Sequence, residues 1–454
     1  MHNKIKKFFL LTGDISTLYL SLYLALFLRY RDNFNSRVWE NHYITFSYVF
    51  VAWLFLFYLF GLYNLYIAQN SKIFFRSVTK SLLLAGALAA LFFYLNPNIA
   101  IAPKTNLLIF LLVFTIIFLL WRALYNTLLD SYLPKNKVAF IGYDNQVKEI
   151  LNFIEINPNT GYLPKLILAT KDSSEIEHKK IRVINELSGF KDLIKKHQIN
   201  TIVLSDSPED SSVLRQELFS SLSLKLQFVN SINFYENIIG KIPIKAINQM
   251  WFLENLNEAN KVIFDHIKRL FDFLFALSIL LITLPLWFII AIFIKIESKG
   301  PVFFKQIREG KNGKKFTILK FRTMKSENNN FSPTKTNDSR ITRFGSLLRK
   351  SRIDEIPQVL NIIKGEMSFV GPRPERPELI EKLEKVIPFY KERMLVKPGL
   401  TGWDQVSGEY HSPSEEDTMK KLQFDLYYVK NRSPYLDTSI LLKTISVVLS
   451  RAGM

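Results

Sequence analysis

The stretch LFDFLFALSILLITLPLWFIIAIFI, residues 270–294, decides how the rest of the chain is laid out. It exceeds the ~20 apolar residues that a bilayer span requires. Pro285 sits near its middle, and basic residues flank both ends: Lys268 and Arg269 before, Lys295 and Lys299 after. A proline has no amide hydrogen for the carbonyl of Leu281, so a kink is expected at Pro285. Positive charge on both flanks favours both ends on the cytoplasmic side. The segment is therefore expected to dip into the membrane and return, with Pro285 as the break. The alternative is an ordinary kinked spanning helix, which would strand the C-terminal third outside.

Upstream, residues 8–28, 46–66, 78–95 and 107–121 with its continuation form four further apolar stretches of spanning length. The first is too long for a signal peptide, is interrupted by Asp14 and lacks a small-residue cleavage site. Lys4, Lys6, Lys7, Lys72, Arg76, Lys80, Arg122, Lys135 and Lys137 fall on one side of these stretches, and Arg29, Arg31, Arg37 and Lys104 on the other. That asymmetry puts both ends of the four helices in the cytoplasm. Tyr19, Tyr23, Tyr63, Tyr66 and Trp121 read as interfacial anchors. The composition agrees: 454 residues, 48% hydrophobic, are too many and too apolar for one soluble domain. The net charge of +19 is spread over the chain rather than gathered in a tail.

Residues 137–250 change character. Short apolar runs at 138–142, 165–169, 181–184, 201–205 and 226–230 read as strands, with helices near 146–156, 188–197 and 209–222. That order predicts a parallel α/β sheet. After the first strand a dinucleotide site would need Gly-x-Gly-x-x-Gly, but the chain has Gly142-Tyr-Asp-Asn-Gln-Val147 with only the first glycine. A scaffold or regulatory role is favoured over nucleotide binding, and His178 and His197 read as surface residues.

With no cysteine, thiol nucleophiles, disulfides and cysteine zinc sites are excluded, and the six histidines form no close pair. Any metal would be a hard, oxygen-liganded ion such as Mg²⁺. Between residues 295 and 375, 18 lysines and arginines face 8 acids. Such a density suits nucleic acid, anionic lipid or a phosphorylated substrate. Nucleic acid is the weakest of these, because no binding motif is present and the region follows directly on the apolar stretch. Lys314-Lys-Phe-Thr-Ile-Leu-Lys-Phe-Arg-Thr-Met324 reads as a strand with Lys320 and Arg322 on one face, followed by a polar loop at 325–337. Asp354 and Glu355 lie just before Pro357 and a helical run, hence at a helix N-terminus. An isolated Asp-Glu-x-Pro would be a helix cap. Here Arg343, Arg349 and Arg352 precede the acids, and the rigid Gly371-Pro-Arg-Pro374 restricts where Arg373 can point. Carboxylates among arginines, without thiol or histidine base, suit phosphoryl chemistry: an aspartate can attack phosphorus while Mg²⁺ and arginines neutralise the phosphate.

From about Lys268 onward the chain resembles the bacterial sugar transferases, the monotopic phosphoglycosyl transferases that move a sugar-1-phosphate from a nucleotide sugar to polyprenyl phosphate. The resemblance rests on Lys-Arg-Leu-Phe-Asp272, Gly-Pro-Val-Phe-Phe-Lys-Gln306, Lys-Phe-Arg-Thr-Met324, Asp-Glu-Ile-Pro-Gln358, Lys-Gly-Glu-Met-Ser-Phe-Val-Gly-Pro-Arg-Pro374, Lys-Pro-Gly-Leu-Thr-Gly-Trp403 and Phe-Asp-Leu-Tyr-Tyr428. The whole layout is similar to the large form of the family. What the resemblance implies is a membrane protein of α plus α/β class in three parts. An N-terminal four-helix transmembrane bundle spans residues 1–130, and a degenerate Rossmann-like parallel α/β cytoplasmic domain spans 131–250. A C-terminal α/β catalytic domain spans 262–454, with a re-entrant membrane helix at 270–294.

By position, the resemblance makes Asp354 the nucleophile and a Mg²⁺ contact, and Glu355 its dyad partner. Arg349 and Arg373 become phosphate-binding arginines and Lys320 a further phosphate contact. The implied reaction is ping-pong: Asp354 displaces UMP from a UDP-sugar, and undecaprenyl phosphate takes the phosphosugar, as the first membrane step of exopolysaccharide, capsule or O-antigen synthesis. The helix break departs from the family's frequent Ser-Pro. This chain has Leu284-Pro285 with Thr283 one place earlier, and the Thr283 hydroxyl is expected to satisfy a freed carbonyl. Basic residues and the amphipathic stretch 433–450 would hold the catalytic domain on the cytoplasmic face of the bacterial inner membrane. Lys397–Trp403 is either a turn or a sugar or uridine contact. A homo-oligomer stays open, as does the sugar. Two rivals remain: a membrane scaffold of polysaccharide assembly, and a membrane-tethered nucleotide-sugar dehydratase, for which the C-terminal third lacks the glycine fingerprint.

Overall fold

The computed structural model describes residues 2–63, 70, 72–95, 103–131, 135–169, 181–184, 189–205, 211–325, 338–407 and 414–450. Tyr66, His178, the first residues of the helices expected at 188 and 209, and the polar loop beyond Lys325 lie outside them. The chain divides into two compact units, Met1–Phe234 and Tyr235–Met454.

The first unit opens with four apolar helices: α1 (His2–Tyr30), α2 (Ser36–Leu59), α3 (Lys72–Leu95) and α4 (Pro103–Ser131). Each contains a window long and apolar enough to cross a membrane. Helix α1 packs on α4 and α2, while α3 packs on α2 and α4. Phe46, Trp53, Phe57, Phe110, Phe114 and Phe118 form the buried aromatic filling. The Asp14 and Arg122 side chains are 0% exposed and 2.6 Å apart. Trp121 donates to Asp14, and Arg122 donates to the carbonyl of Leu62 and lies over the ring of Tyr63. Arg122 is thus not a flanking charge but half of a buried pair. Tyr63 and Trp121 line that pair, and Tyr19 bonds Ser47, so all three have partners within this unit. Gly13 leaves no side chain in the way, so the Trp121 indole lies against the α1 backbone.

The rest of this unit is a parallel sheet in the order β3-β2-β1-β4-β5. Its elements are β1 (Asn136–Ile141), α5 (Asn145–Ile156), β2 (Tyr162–Leu168), β3 (Arg182–Ile184), α6 (Phe190–His197), β4 (Thr201–Leu204), α7 (Ser212–Ser220) and β5 (Gln227–Asn230). All five expected strands are present. Asp144 accepts from the Val147 amide at the start of α5 and from the Ser205 hydroxyl. The place where a dinucleotide fold presents bare amides to phosphate is taken by the chain's own carboxylate.

Helix α8 (Ser231–Ile239) spans the division between the units, and α9 (Gln249–Asn255) follows. The expected end of the middle domain at residue 250 falls inside a segment that packs with the C-terminal unit. There Glu236 accepts from Lys430 and Asn431, and the Gly240 carbonyl accepts from the Trp403 indole.

Helix α10 (Val262–Glu297) is a single 36-residue helix containing Pro285. Antiparallel strands β6 (Phe303–Glu309) and β7 (Lys315–Phe321) follow, then α11 (Arg343–Lys350), a 3-10 turn at Ile353–Gln358, α12 (Val359–Lys364) and β8 (Ser368–Val370). Helix α13 (Pro377–Val386) leads to β9 (Gly399–Thr401), parallel to β8, and then to α14 (Glu415–Asn431) and α15 (Pro434–Ser450). The core draws Ala276, Trp287, Ile290 and Ile294 from α10, Phe316, Ile318 and Phe321 from β7, and Val359 and Ile362 from α12.

Pro285 interrupts the hydrogen bonding of α10 without ending the helix. The Thr283 hydroxyl donates to the Ile279 carbonyl, not to that of Leu281, because a threonine side chain in a helix reaches back one turn. It accepts in turn from the Trp287 indole, so a hydrogen-bonded chain bridges the proline on the side facing the core.

Candidate active site

Strand β7 ends at Phe321, and the alternation expected to put Lys320 and Arg322 on one face ends with it. Lys320 turns to Glu355, whereas buried Arg322 donates to the carbonyls of Ser298 and Lys299 and caps the C-terminus of α10. Asn361 places the acidic turn against β7. It accepts from the Leu319 amide and donates to the Thr317 carbonyl, standing in for a strand partner. Asp354 and Glu355 lie in the first turn of the 3-10 segment, whose preceding residue, Arg352, has a left-handed backbone (φ 57°).

The two carboxylates are treated differently. Glu355 receives Lys320 at 2.6 Å, Arg373 at 3.2 Å and Arg352 at 3.8 Å. Burial pushes its carboxyl up, but Arg373, Lys320 and Arg352 outweigh burial and bring it down to about 2. Asp354 is equally buried, yet among the described residues no hydrogen bond or ion pair reaches its oxygens. Burial and the adjacent Glu355 charge push its carboxyl above the ordinary range, against the pull of Lys320, Arg349 and Arg352. Arg349 stands in the last turn of α11, and its Nε donates to Thr323 Oγ1 at 2.8 Å. The structure therefore brings Lys320, Glu355 and Arg373 into direct contact, with Asp354 and Arg349 acting on each other through space. Arg352 belongs to the same group. It stands among the arginines before the acids, but its distance to Glu355 depends on the left-handed turn.

Among the described residues no three carboxylates or histidines gather as a metal site. Mg²⁺ commonly takes one or two carboxylates and fills its shell with water and substrate phosphate. A buried carboxylate without a protein partner, such as Asp354, fits that requirement.

Both ends of α10 are tied into this unit. At its start Arg269 donates to the carbonyls of Ile362 and Ile363, and Asp272 accepts from the Phe369 amide. At its end Glu297 accepts from the Phe344 amide at the start of α11. Between them the outward face is bare and apolar, with Ile282 79% and Phe288 68% exposed.

The glycines of the Lys397–Trp403 stretch serve its turn. A side chain on Gly399 would put its Cβ 2.1 Å from the Gly371 amide nitrogen, and one on Gly402 would lie 2.5 Å from the Gly371 carbonyl. These glycines allow two backbones to touch, and the Trp403 N–H is already engaged by Gly240.

These features define a multi-pass membrane protein whose C-terminal α/β unit gathers a carboxylate pair among arginines and a lysine. A family model described as bacterial sugar transferase matches residues 263–451. The UDP-N-acetylgalactosamine-undecaprenyl-phosphate N-acetylgalactosaminephosphotransferase of Aeromonas hydrophila is 43% identical over 220 residues, 48% of this chain and 51% of the relative. The chain thus matches about half the length of that relative. The UDP-glucose:undecaprenyl-phosphate glucose-1-phosphate transferase of Xanthomonas campestris pv. campestris is 31% identical over 346 residues, 73% of this chain and 70% of the relative. The exopolysaccharide production protein PSS of Rhizobium leguminosarum bv. phaseoli is 39% identical over 193 residues, 41% of this chain and 96% of the relative. The chain belongs to the bacterial sugar transferase family.

Proposed function

We propose that the protein transfers a sugar-1-phosphate from a UDP-sugar to undecaprenyl phosphate, releasing UMP, through a covalent intermediate on Asp354. The observation that carries this reading is the asymmetry of the acidic pair. Glu355 is held by three cations, while Asp354 beside it has no partner among the described residues. The names of the relatives, which print UDP-sugars and undecaprenyl phosphate, support it.

In the first step an Asp354 oxygen attacks the phosphorus that bears the sugar, the bond from that phosphorus to the bridging oxygen breaks, and UMP leaves. Raised basicity makes Asp354 the stronger nucleophile once ionised. Arg373 and Arg349 supply the positive charge that the phosphate oxygens need, and Lys320 supplies more at the Glu355 end. In the second step a phosphate oxygen of undecaprenyl phosphate attacks the same phosphorus and the bond to Asp354 breaks. Mg²⁺, held by Asp354 and the diphosphate, would neutralise charge on the departing phosphate. Glu355 fixes Lys320, Arg352 and Arg373 and takes no covalent part.

Helix α10 reads as re-entrant. Both its ends are bound to the one catalytic unit, while its outward middle is apolar and uncovered. That arrangement keeps the site at the cytoplasmic surface of the membrane, where a soluble donor and a lipid acceptor can both arrive. The test is UMP release by nanodisc-purified protein given undecaprenyl phosphate, Mg²⁺ and a panel of UDP-sugars that includes glucose and N-acetylgalactosamine. Release with one donor, abolished in a folded Asp354→Asn variant, is the expected result. Full activity in that variant would sink the covalent reading, and no release from any donor by folded wild-type protein would favour a scaffold.

A further inference from the structure

Arg373 is placed by its backbone carbonyls. In the segment 372–375 two of four amide donors are missing, because Pro372 and Pro374 have none. Each carbonyl of the segment instead accepts a bond from a separate group: Pro372 from the Gly399 amide at 2.9 Å, Arg373 from Arg393 Nη2 at 2.9 Å, Pro374 from Arg308 Nη1 at 3.0 Å and Glu375 from the Glu309 amide at 3.0 Å. Three of these groups belong to the sheet strands or to an arginine on one of them. The fourth, Arg393, comes from the 3-10 segment Tyr390–Leu395.

Stability alone does not require an arginine at Arg393. Its side chain is 9% exposed and paired with Asp425, through Nη2 at 2.7 Å and Nε at 2.9 Å. Nη1 donates to the Tyr390 hydroxyl at 3.0 Å. A buried ion pair of this kind is commonly replaceable by apolar residues of similar volume without loss of stability. Asp425 lies in Phe-Asp-Leu-Tyr-Tyr428, a motif to which the phosphoryl chemistry gives no task. What the pair does, and an apolar replacement would not, is direct an N–H at the carbonyl of Arg373. The guanidinium fixes this geometry because Nε and Nη2 hold Asp425 in one plane while Nη2 also reaches that carbonyl, whereas a lysine ammonium would offer freely rotating donors.

We infer that Arg393, oriented by Asp425, is a positioning residue for the transfer reaction, fixing the backbone of Arg373 so that its guanidinium meets Glu355 and the substrate phosphate. The inference rests on the transfer reading above. It predicts that removing the pair and removing the Arg373 side chain are the same lesion.

The experiment is a double-mutant cycle on the full chain in nanodiscs, reading UMP release and melting temperature. One arm is Arg373→Ala, expected to lose activity on the order of 100-fold. A second is Arg393→Met combined with Asp425→Leu and Tyr390→Phe, which leaves no buried unpaired charge or hydroxyl. It is expected to melt within a few degrees of wild type while kcat/KM for the donor falls about tenfold or more. Combined with Arg373→Ala, it should cause no further loss. Arg393→Lys repeats the cycle should the triple variant fail to fold. A triple variant as active as wild type, or losses that multiply with that of Arg373→Ala, would overturn the inference while wild-type UMP release upholds the transfer reading. Wild-type protein that releases no UMP from any donor would take both down together.

Discussion

Replacing Glu355 by glutamine tests the electrostatic frame of the site. In the folded protein its carboxyl lies at about 2, against an ordinary value of 4.5. By linkage that difference corresponds to roughly 3 kcal/mol favouring the folded state when the group is charged. Arg373 and Arg352 are more than two-fifths exposed, so solvent screening reduces the expected contribution to about 2 kcal/mol. Because the folded carboxyl lies below the unfolded one, this stability is present above pH 4.5 and fades as the pH falls from there toward 2. Glu355→Gln should therefore lower the stability of the C-terminal unit at neutral pH by about 2 kcal/mol and flatten its acid dependence across that window. It should also reduce transfer about 100-fold, since Lys320 and Arg373 lose the acceptor that orients them. Denaturation of nanodisc-reconstituted protein at pH 7 and pH 3, beside UMP release at pH 7, measures all three. A variant with wild-type stability at pH 7 and an unchanged acid limb would refute the claim that the three cations lower this carboxyl.

Asp14→Asn leaves Arg122 as an uncompensated charge among apolar helices and should cost about 3 kcal/mol, seen as a lower melting temperature in nanodiscs. An unchanged melt would mean the pair contributes nothing. Gly399→Ala drives a methyl into the Gly371 amide and should separate β8 from β9. Limited proteolysis is expected to cut between residues 365 and 405, and a protected, active variant would contradict the close approach. Thr283→Val removes the bridge from Trp287 to the Ile279 carbonyl at Pro285 and should cost about 1 kcal/mol by thermal shift. Chelation should stop UMP release and Mg²⁺ should restore it. Full activity in excess chelator would exclude the metal.

Much of this protein was legible in consecutive residues. Hydropathy marked the five apolar helices, and short apolar runs marked β1 to β5. Spaced motifs from Asp272 to Tyr428 carried the family. These signals survive in one dimension because each is set by the neighbours of a residue along the chain: how long an apolar run is, how often it alternates, where a proline stands.

Only the tertiary structure decided which of two adjacent carboxylates is held and which is left open, because Lys320 and Arg373 reach Glu355 across 35 and 18 residues of chain. The same holds for Arg122, which reads as a flanking charge until packing carries it to Asp14, 108 residues away. Arg322 and Lys320 stand two residues apart yet serve the end of α10 and the acidic turn, because the strand that would have aligned them stops at Phe321. A side chain's partner is set by where folding brings distant segments together, and the spacing of residues along a chain holds no record of that.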